Sequence, residues 1–268
     1  MKIAVVVTTY NRVDALTAVL EGYLAQSDQN FEVVVADDGS TEDTREAVAR
    51  YQALAPFPVR HVWQEDLGFR VSMSRNRALA STDAPYVLFT DGDCIPSRDF
   101  VASHRRLSEP GYFLSGNRIL LSEPFTRRVL EKRIPIHDWG IFEWLDARRK
   151  GQINRVLPLF KLPDFWRKGR PEQWQGAKTC NLSAWRKDIE AVNGFDESYT
   201  GWGLEDSDLV IRLIRSGKKH KSARYAAPVF HLWHPENDRS RLDENSRRLD
   251  LILHSKNVRA TLGMDQYS

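Results

Sequence analysis

Two carboxylates one residue apart, in Asp91-Gly92-Asp93, close the apolar run Tyr86-Val87-Leu88-Phe89-Thr90. The run is β-branched and aromatic, is entered through Pro85, and reads as a buried strand. In open α/β sheets, ligands bind just outside the carboxyl ends of the strands. An acidic pair at such an end can hold a hard divalent cation, and the cation can hold phosphates. Asp-Gly-Asp is also ordinary turn chemistry, so the rest of the chain has to decide between the two.

Four further groups bear on that decision. Thr8-Thr9-Tyr10-Asn11-Arg12 follows the first apolar run and opens a helix. Backbone amides at a helix start suit a nucleotide, and they also occur in any βα loop. Asp37-Asp38-Gly39-Ser40-Thr41 follows the second run. A carboxylate there can accept from the N3–H of a uracil or from a ribose hydroxyl, and two acids in a row exceed what a helix cap requires. Arg70 and Arg75 can read a phosphate bidentately, although a solvated arginine is the commoner case. Gly201-Trp202-Gly203-Leu204-Glu205-Asp206-Ser207-Asp208 crowds three acids at one helix start, after an aromatic between glycines. The helix dipole favours acids there. The Trp face also offers a platform for a sugar ring, and a carboxylate beside it can serve as general base. Finally, His231 and His234 sit three apart after the last apolar run, a spacing that can present two nitrogens to one metal.

The elements that would position these groups alternate over the first hundred residues. Strands are expected at Ile3–Thr8, Phe31–Ala36, Val59–Trp63 and Tyr86–Thr90, with helices at Asp14–Gln26, Thr41–Leu54 and Ser72–Ala80. This order predicts a parallel, doubly wound sheet with right-handed crossovers. Later pieces are strand-like at Thr179–Ala184 and Ala226–Phe230. Helices are expected at Glu205–Arg215, stopped by Gly217, and at Leu242–Leu262. Between the halves, Arg118 to Arg170 holds 13 basic and 6 acidic residues, although the whole chain carries only +3. That total is too small to argue for nucleic acid. Cys94 and Cys180, far apart in sequence, suggest no disulfide framework. The composition is that of a soluble protein with no stretch of membrane-spanning length, and a cytoplasmic location is the simplest expectation.

Together these residues resemble the inverting family-2 glycosyltransferases of the GT-A fold, from Val5 to about Arg247. Thr8 to Arg12, Val35 to Ser40 and Asp91-Gly92-Asp93 look like that family's nucleotide and metal motifs, the last being its DXD motif. Gly201 to Leu209 resembles the acceptor motif of bacterial chondroitin-polymerase-type domains and animal β-1,4-galactosyltransferases. The resemblance implies an α/β fold: one GT-A, Rossmann-like domain whose mixed, mostly parallel sheet is flanked by helices, with a helical, basic insertion. Residues 1–117 would be the nucleotide-binding half and 118–175 the insertion. Residues 176–240 would be the acceptor-binding half and 241–268 a C-terminal helix.

The site residues are carried by the same resemblance. Asp38, with Asp37, would bind uracil and ribose, with Thr8, Tyr10 and Arg12 in the nucleotide motif. Arg75 and Asn76 would lie near the diphosphate. Asp91 would contact ribose or metal. Asp93 would ligate Mn2+ or Mg2+ together with His234, and His231 is a second candidate ligand. Asp206 would be the general base, Glu205 would bind acceptor hydroxyls, and Trp202 would stack on the acceptor. Leu120 to Trp174 matches no motif of the family, which leaves the acceptor open.

The implied reaction is a single displacement with inversion. It moves a hexose or N-acetylhexosamine from a UDP-sugar to a glycan or glycolipid, as in bacterial surface polysaccharide or lipopolysaccharide synthesis. Two other functions compete. A sugar-nucleotide nucleotidyltransferase would carry a glycine-rich loop after the first strand, and Thr8 to Arg12 has no glycine. An inactive nucleotide-sugar-binding module would not need Asp93, Asp206 and His234 together. The middle segment has its own pair of readings. Arg127, Arg128, Lys132 and Arg133 with Trp139, Phe142 and Trp144 either meet an anionic membrane at the inner face of the cell, or form a solvated flap whose aromatics pack on the sheet.

Overall fold

β1 (Ile3–Thr9), β2 (Phe31–Asp37), β3 (Val59–Trp63) and β4 (Tyr86–Asp91) alternate with helices Val13–Leu24, Glu42–Leu54 and Val71–Ala80. The computed structural model describes residues 1–160 and 163–267. Lys161 and Leu162 of the basic stretch, and Ser268, lie outside the described residues. The four strands run parallel in the order β3-β2-β1-β4. The apolar runs of β1, β2 and β4 are continuous because both faces are buried, whereas β3, at the edge, is only partly covered. Val5, Val7, Val33, Val35 and Leu88 pack on one face with Leu16, Val19 and Tyr23. Val6, Val34, Val87 and Phe89 pack on the other with Ala78, Leu79, Leu209 and Leu213. Helices on both faces are what a parallel sheet needs.

The remaining strands are β5 (Cys94–Pro96), β6 (Tyr112–Ser115), β7 (Arg118–Leu120), β8 (Leu182–Trp185), β9 (Lys219–Ser222) and β10 (Val229–His231). β8 lies antiparallel beside β4, β6 antiparallel beside β8, and β9 parallel to β6. The seven-stranded sheet is therefore mixed and mostly parallel, and the uniformly parallel order expected from the first hundred residues ends at β4. Only β8, which enters from the carboxyl edge after Asn181, runs back between β4 and β6. One consequence governs the site. The carboxyl ends of β1, β2, β3, β4, β6 and β9 share an edge with the amino end of β8.

A second, three-stranded sheet, β5-β10-β7, was not expected. Its strands are three residues each, too short to show a period in sequence. β10 is antiparallel to β5 and parallel to β7, which sets His231 opposite Cys94 and Leu120. The basic segment packs behind it. Helices Glu123–Glu131 and Ile141–Arg149 send Phe125, Val129, Trp144 and Ala147 into the first core. Trp144 is 2% exposed and stacks on Phe230 with centroids 4.2 Å apart. Trp139 packs against the same core, whereas Phe142 is 81% exposed. No helix among the described residues is long and apolar enough to cross a membrane.

Three expected boundaries move by three residues or more. The last long helix runs Leu242–His254 rather than to Leu262, because Arg215 takes the carbonyls of Ile252 and Leu253 and ends it. Thr179–Asn181 forms a 3-10 turn before β8, with the Asn181 amide held by the carbonyls of Asn117 and Ala227. β10 begins only after Pro228, which has no N–H to give a ladder.

Candidate active site

Two acids end β2 and behave differently. Asp37 is fully buried; its Oδ1 accepts from the Ser40 amide at 2.8 Å and its Oδ2 meets His61 Nε2 at 2.8 Å. It thus shapes the turn into helix Glu42–Leu54. Asp38 accepts from Gln64 Nε2 at 2.6 Å and from the Arg70 amide at 2.8 Å. Burial pushes its carboxyl up to about 6. Each Asp38 oxygen keeps a lone pair for a ligand donor. Tyr10 stands at the rim, half exposed, and its hydroxyl donates to Asp66 at 2.8 Å. Arg12 turns to Asp14 at 3.0 Å.

Asp91 is oriented from two sides. Its Oδ1 accepts from the Thr8 hydroxyl at 3.0 Å and from Arg75 Nη2 at 3.4 Å. Gly92 is required by close approach: its amide donates to Thr8 O at 2.6 Å, and a Cβ there would lie 2.8 Å from that oxygen. Arg75 is 3% exposed, lies over the Phe195 ring at 5.2 Å, and also donates through Nη1 to Glu205 Oε1 at 3.0 Å. One buried guanidinium therefore joins the end of β4 to the start of helix Glu205–Arg215. Asn76 has no capacity left for a diphosphate. It is fully buried, its Nδ2 donates to Phe195 O and Glu197, and its Oδ1 accepts from the Phe195 amide.

The small sheet brings the two histidines to Asp93. His234 Nε2 lies 3.2 Å and His231 Nε2 3.7 Å from Asp93 Oδ2. Leu232 N donates to Asp93 O, and Trp233 N to the Thr126 hydroxyl, which pins the His-Leu-Trp-His turn. His234 Nδ1 lies 2.6 Å from the Pro235 carbonyl, so in the neutral ring that nitrogen carries the proton. Its Nε2 lone pair then faces a carboxylate oxygen. Two acceptors at that distance repel unless a proton or a cation lies between them, and the histidine's other nitrogen is already fixed as a ligating histidine's usually is. Burial lowers the pKa of His231, which favours its neutral, ligating form. The donor set fits a divalent cation. A second cluster of possible ligands also forms, since ligand atoms of Asp91, Cys94 and Cys180 lie within 4.8 Å of one another. The two cysteines are thus neighbours, as free buried thiols, despite their distance in sequence. Burial pushes the Cys94 thiol well up, and a neutral thiol is a poor ligand.

The motif from Gly201 to Asp208 is a strained turn. Gly203 has φ +106°, and Leu204, at φ +75°, is a non-glycine residue in the left-handed region. Such strain is held in place by surrounding structure and concentrates at functional sites. The three acids that follow have three roles. Asp208 forms a fully buried pair with Arg212, which also donates to the carbonyls of Val192 and Gly194. Glu205 is held by Arg75, while its Oε2 is buried without a hydrogen-bond partner. Asp206 is half-buried and accepts from the Ser207 amide. Burial first, then the charge of Glu205, pushes its carboxyl up to about 6, against the pull of Lys178 and Arg75. Trp202 is half-buried, with Arg239 over its ring at 5.3 Å.

Sequence reasoning missed Gln64, Lys178 and Arg118. Gln64 holds Asp38, Lys178 faces Asp206, and half-buried Arg118 on β7 feels the charges of Asp91 and Asp93. A lone Gln, Lys or Arg carries no sequence signal. Only the strand pairing brings these three to the site.

The sequence profile of glycosyl transferase family 2 matches residues 4–160, and that of the N-terminal domain of galactosyltransferase matches residues 166–235. The chain is 33% identical over 228 residues to validoxylamine A glucosyltransferase of Streptomyces hygroscopicus subsp. limoneus, covering 80% of this chain and 48% of that protein. It is 25% identical over 261 residues to chondroitin synthase of Escherichia coli, covering 89% of this chain and 36% of that one. The chain thus spans about half the length, or less, of these relatives. The crystal structure of S. aureus TarS 1–349 in complex with UDP superposes with a TM-score of 0.62 at 16% identity, covering 100% of this chain and 68% of that one. At that identity the likeness is one of fold.

Proposed function

The chain belongs to glycosyl transferase family 2, and from that membership we propose that it moves a hexose or N-acetylhexosamine from a UDP-sugar to a hydroxyl of a glycan or glycolipid, with inversion at the anomeric carbon. Bacterial surface polysaccharide or lipopolysaccharide synthesis is the setting we propose. The observation that carries the reading is the Arg75 bridge. It ties Asp91, at the strand ends that suit a nucleotide, to Glu205, beside a carboxyl with the properties of a base.

In this reading, Asp38 accepts from the uracil or ribose, and Asp91, oriented by Thr8 and Arg75, lies beside the ribose and diphosphate. Asp93 and His234 would hold a divalent cation, with His231 behind them. When bound, that cation neutralises charge on the diphosphate. A mixed imidazole and carboxylate set suits manganese better than magnesium. Trp202 and the free Oε2 of Glu205 orient the acceptor sugar. Asp206 takes the proton of the acceptor hydroxyl as that oxygen bonds to the anomeric carbon. The bond from that carbon to the diphosphate oxygen breaks, and UDP leaves. A carboxyl raised to about 6 is a stronger base than an ordinary aspartate, and it is still mostly ionised at neutral pH.

The test is a manganese-containing screen of UDP-sugars with chromatographic identification of products. UDP release with sugar transfer is the expected result. Pyrophosphate instead would make the protein a nucleotidyltransferase. No turnover of any UDP-sugar would make it a binding module.

A further inference from the structure

A cavity of about 550 Å³ opens at the carboxyl edge of the sheet, away from β1 and β2. Ser115 and Ser222, the last residues of β6 and β9, form one wall, and the segment from Pro163 to Gln175 forms another. Its volume is that of a small-ligand pocket. Trp166 and Tyr225 supply aromatic surface, Gln173 and Gln175 supply amides, and no acidic side chain among the described residues lines it.

Its basic groups fall into two kinds. Arg167 and His220 are structural. Arg167 is buried, with Nη1 on the carbonyls of Ser222 and Arg224 and Nε on Asp164. His220 is engaged at both nitrogens, by the Ser115 hydroxyl at 2.8 Å and the Arg170 carbonyl at 3.2 Å. Arg170 and Arg224 are exposed, and only their backbone carbonyls are used by these neighbours. Neither guanidinium has a hydrogen bond or ion pair to another described residue. Two guanidiniums uncompensated by any lining carboxylate, beside aromatic and amide surface, make a receptor for an anionic sugar.

The cavity is also placed for the acceptor rather than the donor. Asp38, Asp91 and Asp93 belong to the β2 and β4 side, and β8 lies between them and the cavity. Helix Glu205–Arg215, which begins with Glu205 and Asp206, leads into β9 in the cavity's wall. Gln175 in the wall is three residues from Lys178, at most about 11 Å of chain. Lys178 is exposed, and its charge reaches Asp206. Positive charge thus continues from the cavity to the base.

We propose that this cavity binds an anionic substituent, carboxylate or phosphate, on the acceptor chain, so that the acceptor is an acidic glycan. The proposal rests on the transfer reading above. The test is a titration of 15N-labelled protein with sodium glucuronate, inorganic phosphate and neutral glucose, following the Trp166 indole N–H and the amides of Ser115 and Ser222. The double variant Arg170→Gln/Arg224→Gln is titrated alongside. At least one anion should give saturable shifts that glucose does not. The double variant should lose about tenfold or more in affinity, as expected when two charge-assisted contacts go. Response to glucuronate alone assigns a uronate, and response to phosphate alone assigns a phosphate ester. No shift with either anion, or an unchanged affinity in a folded double variant, overturns the proposal. Loss of the transfer reading would appear separately, as wild-type protein that releases no UDP from any UDP-sugar.

Discussion

Replacing Asp206 by Asn should inactivate the protein and stabilise it in the same step. The carboxyl is held at about 6 against an ordinary 3.8, mainly by burial and then by the charge of Glu205. A folded-state value above the unfolded one means that ionisation costs the fold. The cost is absent below the unfolded value, grows as pH rises from about 4 to 6, and is complete above that. Two units correspond to about 3 kcal/mol at most. Solvent screening at the partly exposed carboxyl reduces this, so we expect a gain of about 1–2 kcal/mol for the variant at pH 7.5. An Asn Oδ1 still accepts from the Ser207 amide, so the helix start is kept. Urea unfolding at pH 7.5 and at pH 3.5 measures the difference, which should vanish at the lower pH. Turnover should fall by about 10²–10⁴, the usual contribution of a positioned base, with donor binding intact. A variant less stable than wild type at pH 7.5, or a gain that persists at pH 3.5, would refute the electrostatic reasoning. Near-wild-type turnover would refute the assignment of the base.

Arg75→Met should lose about 3–5 kcal/mol in urea unfolding, because it strands Asp91 and Glu205 without their shared cation. The acid limb of its pH–rate profile should move to higher pH, since Arg75 holds the titration of Asp206 down; a limb that stays put speaks against the bridge. His234→Ala should raise the manganese concentration needed for half activity by about tenfold or more, read from a metal titration of UDP release. Trp144→Ala should cost about 3–5 kcal/mol, read from urea unfolding, by emptying the stack on Phe230 behind the histidine turn. A cost under about 1 kcal/mol would place that side chain outside the core.

Much of the first half of the chain was legible in sequence because its order is local. The runs ending at Thr9, Asp37 and Asp91 are strands buried on both faces, and such strands read as unbroken apolar segments whatever their partners. Placing acids at their ends needs only the rule that parallel strands share an edge. The motif from Gly201 to Asp208 was legible for a similar reason: glycines around Trp202 and acids at one helix start are features of consecutive residues.

What lay beyond the sequence depends on contacts between distant residues. The sequence determined the parallel half-sheet, the strand-end acids and the acid-capped helix. The tertiary structure decided that β8 runs backwards and that a three-residue strand carries His231 and His234 to Asp93. It also decided that buried Arg75 couples Asp91 to a Glu205 that lies 130 residues from Arg75 in the chain, and that Asp206 and Asp208, two positions apart, become a half-buried raised carboxyl and a core ion pair. The physical reason is the same in each case. A residue's charge, burial and partners follow from what packs against it, and for these residues the packing comes from strands and helices far away in the chain.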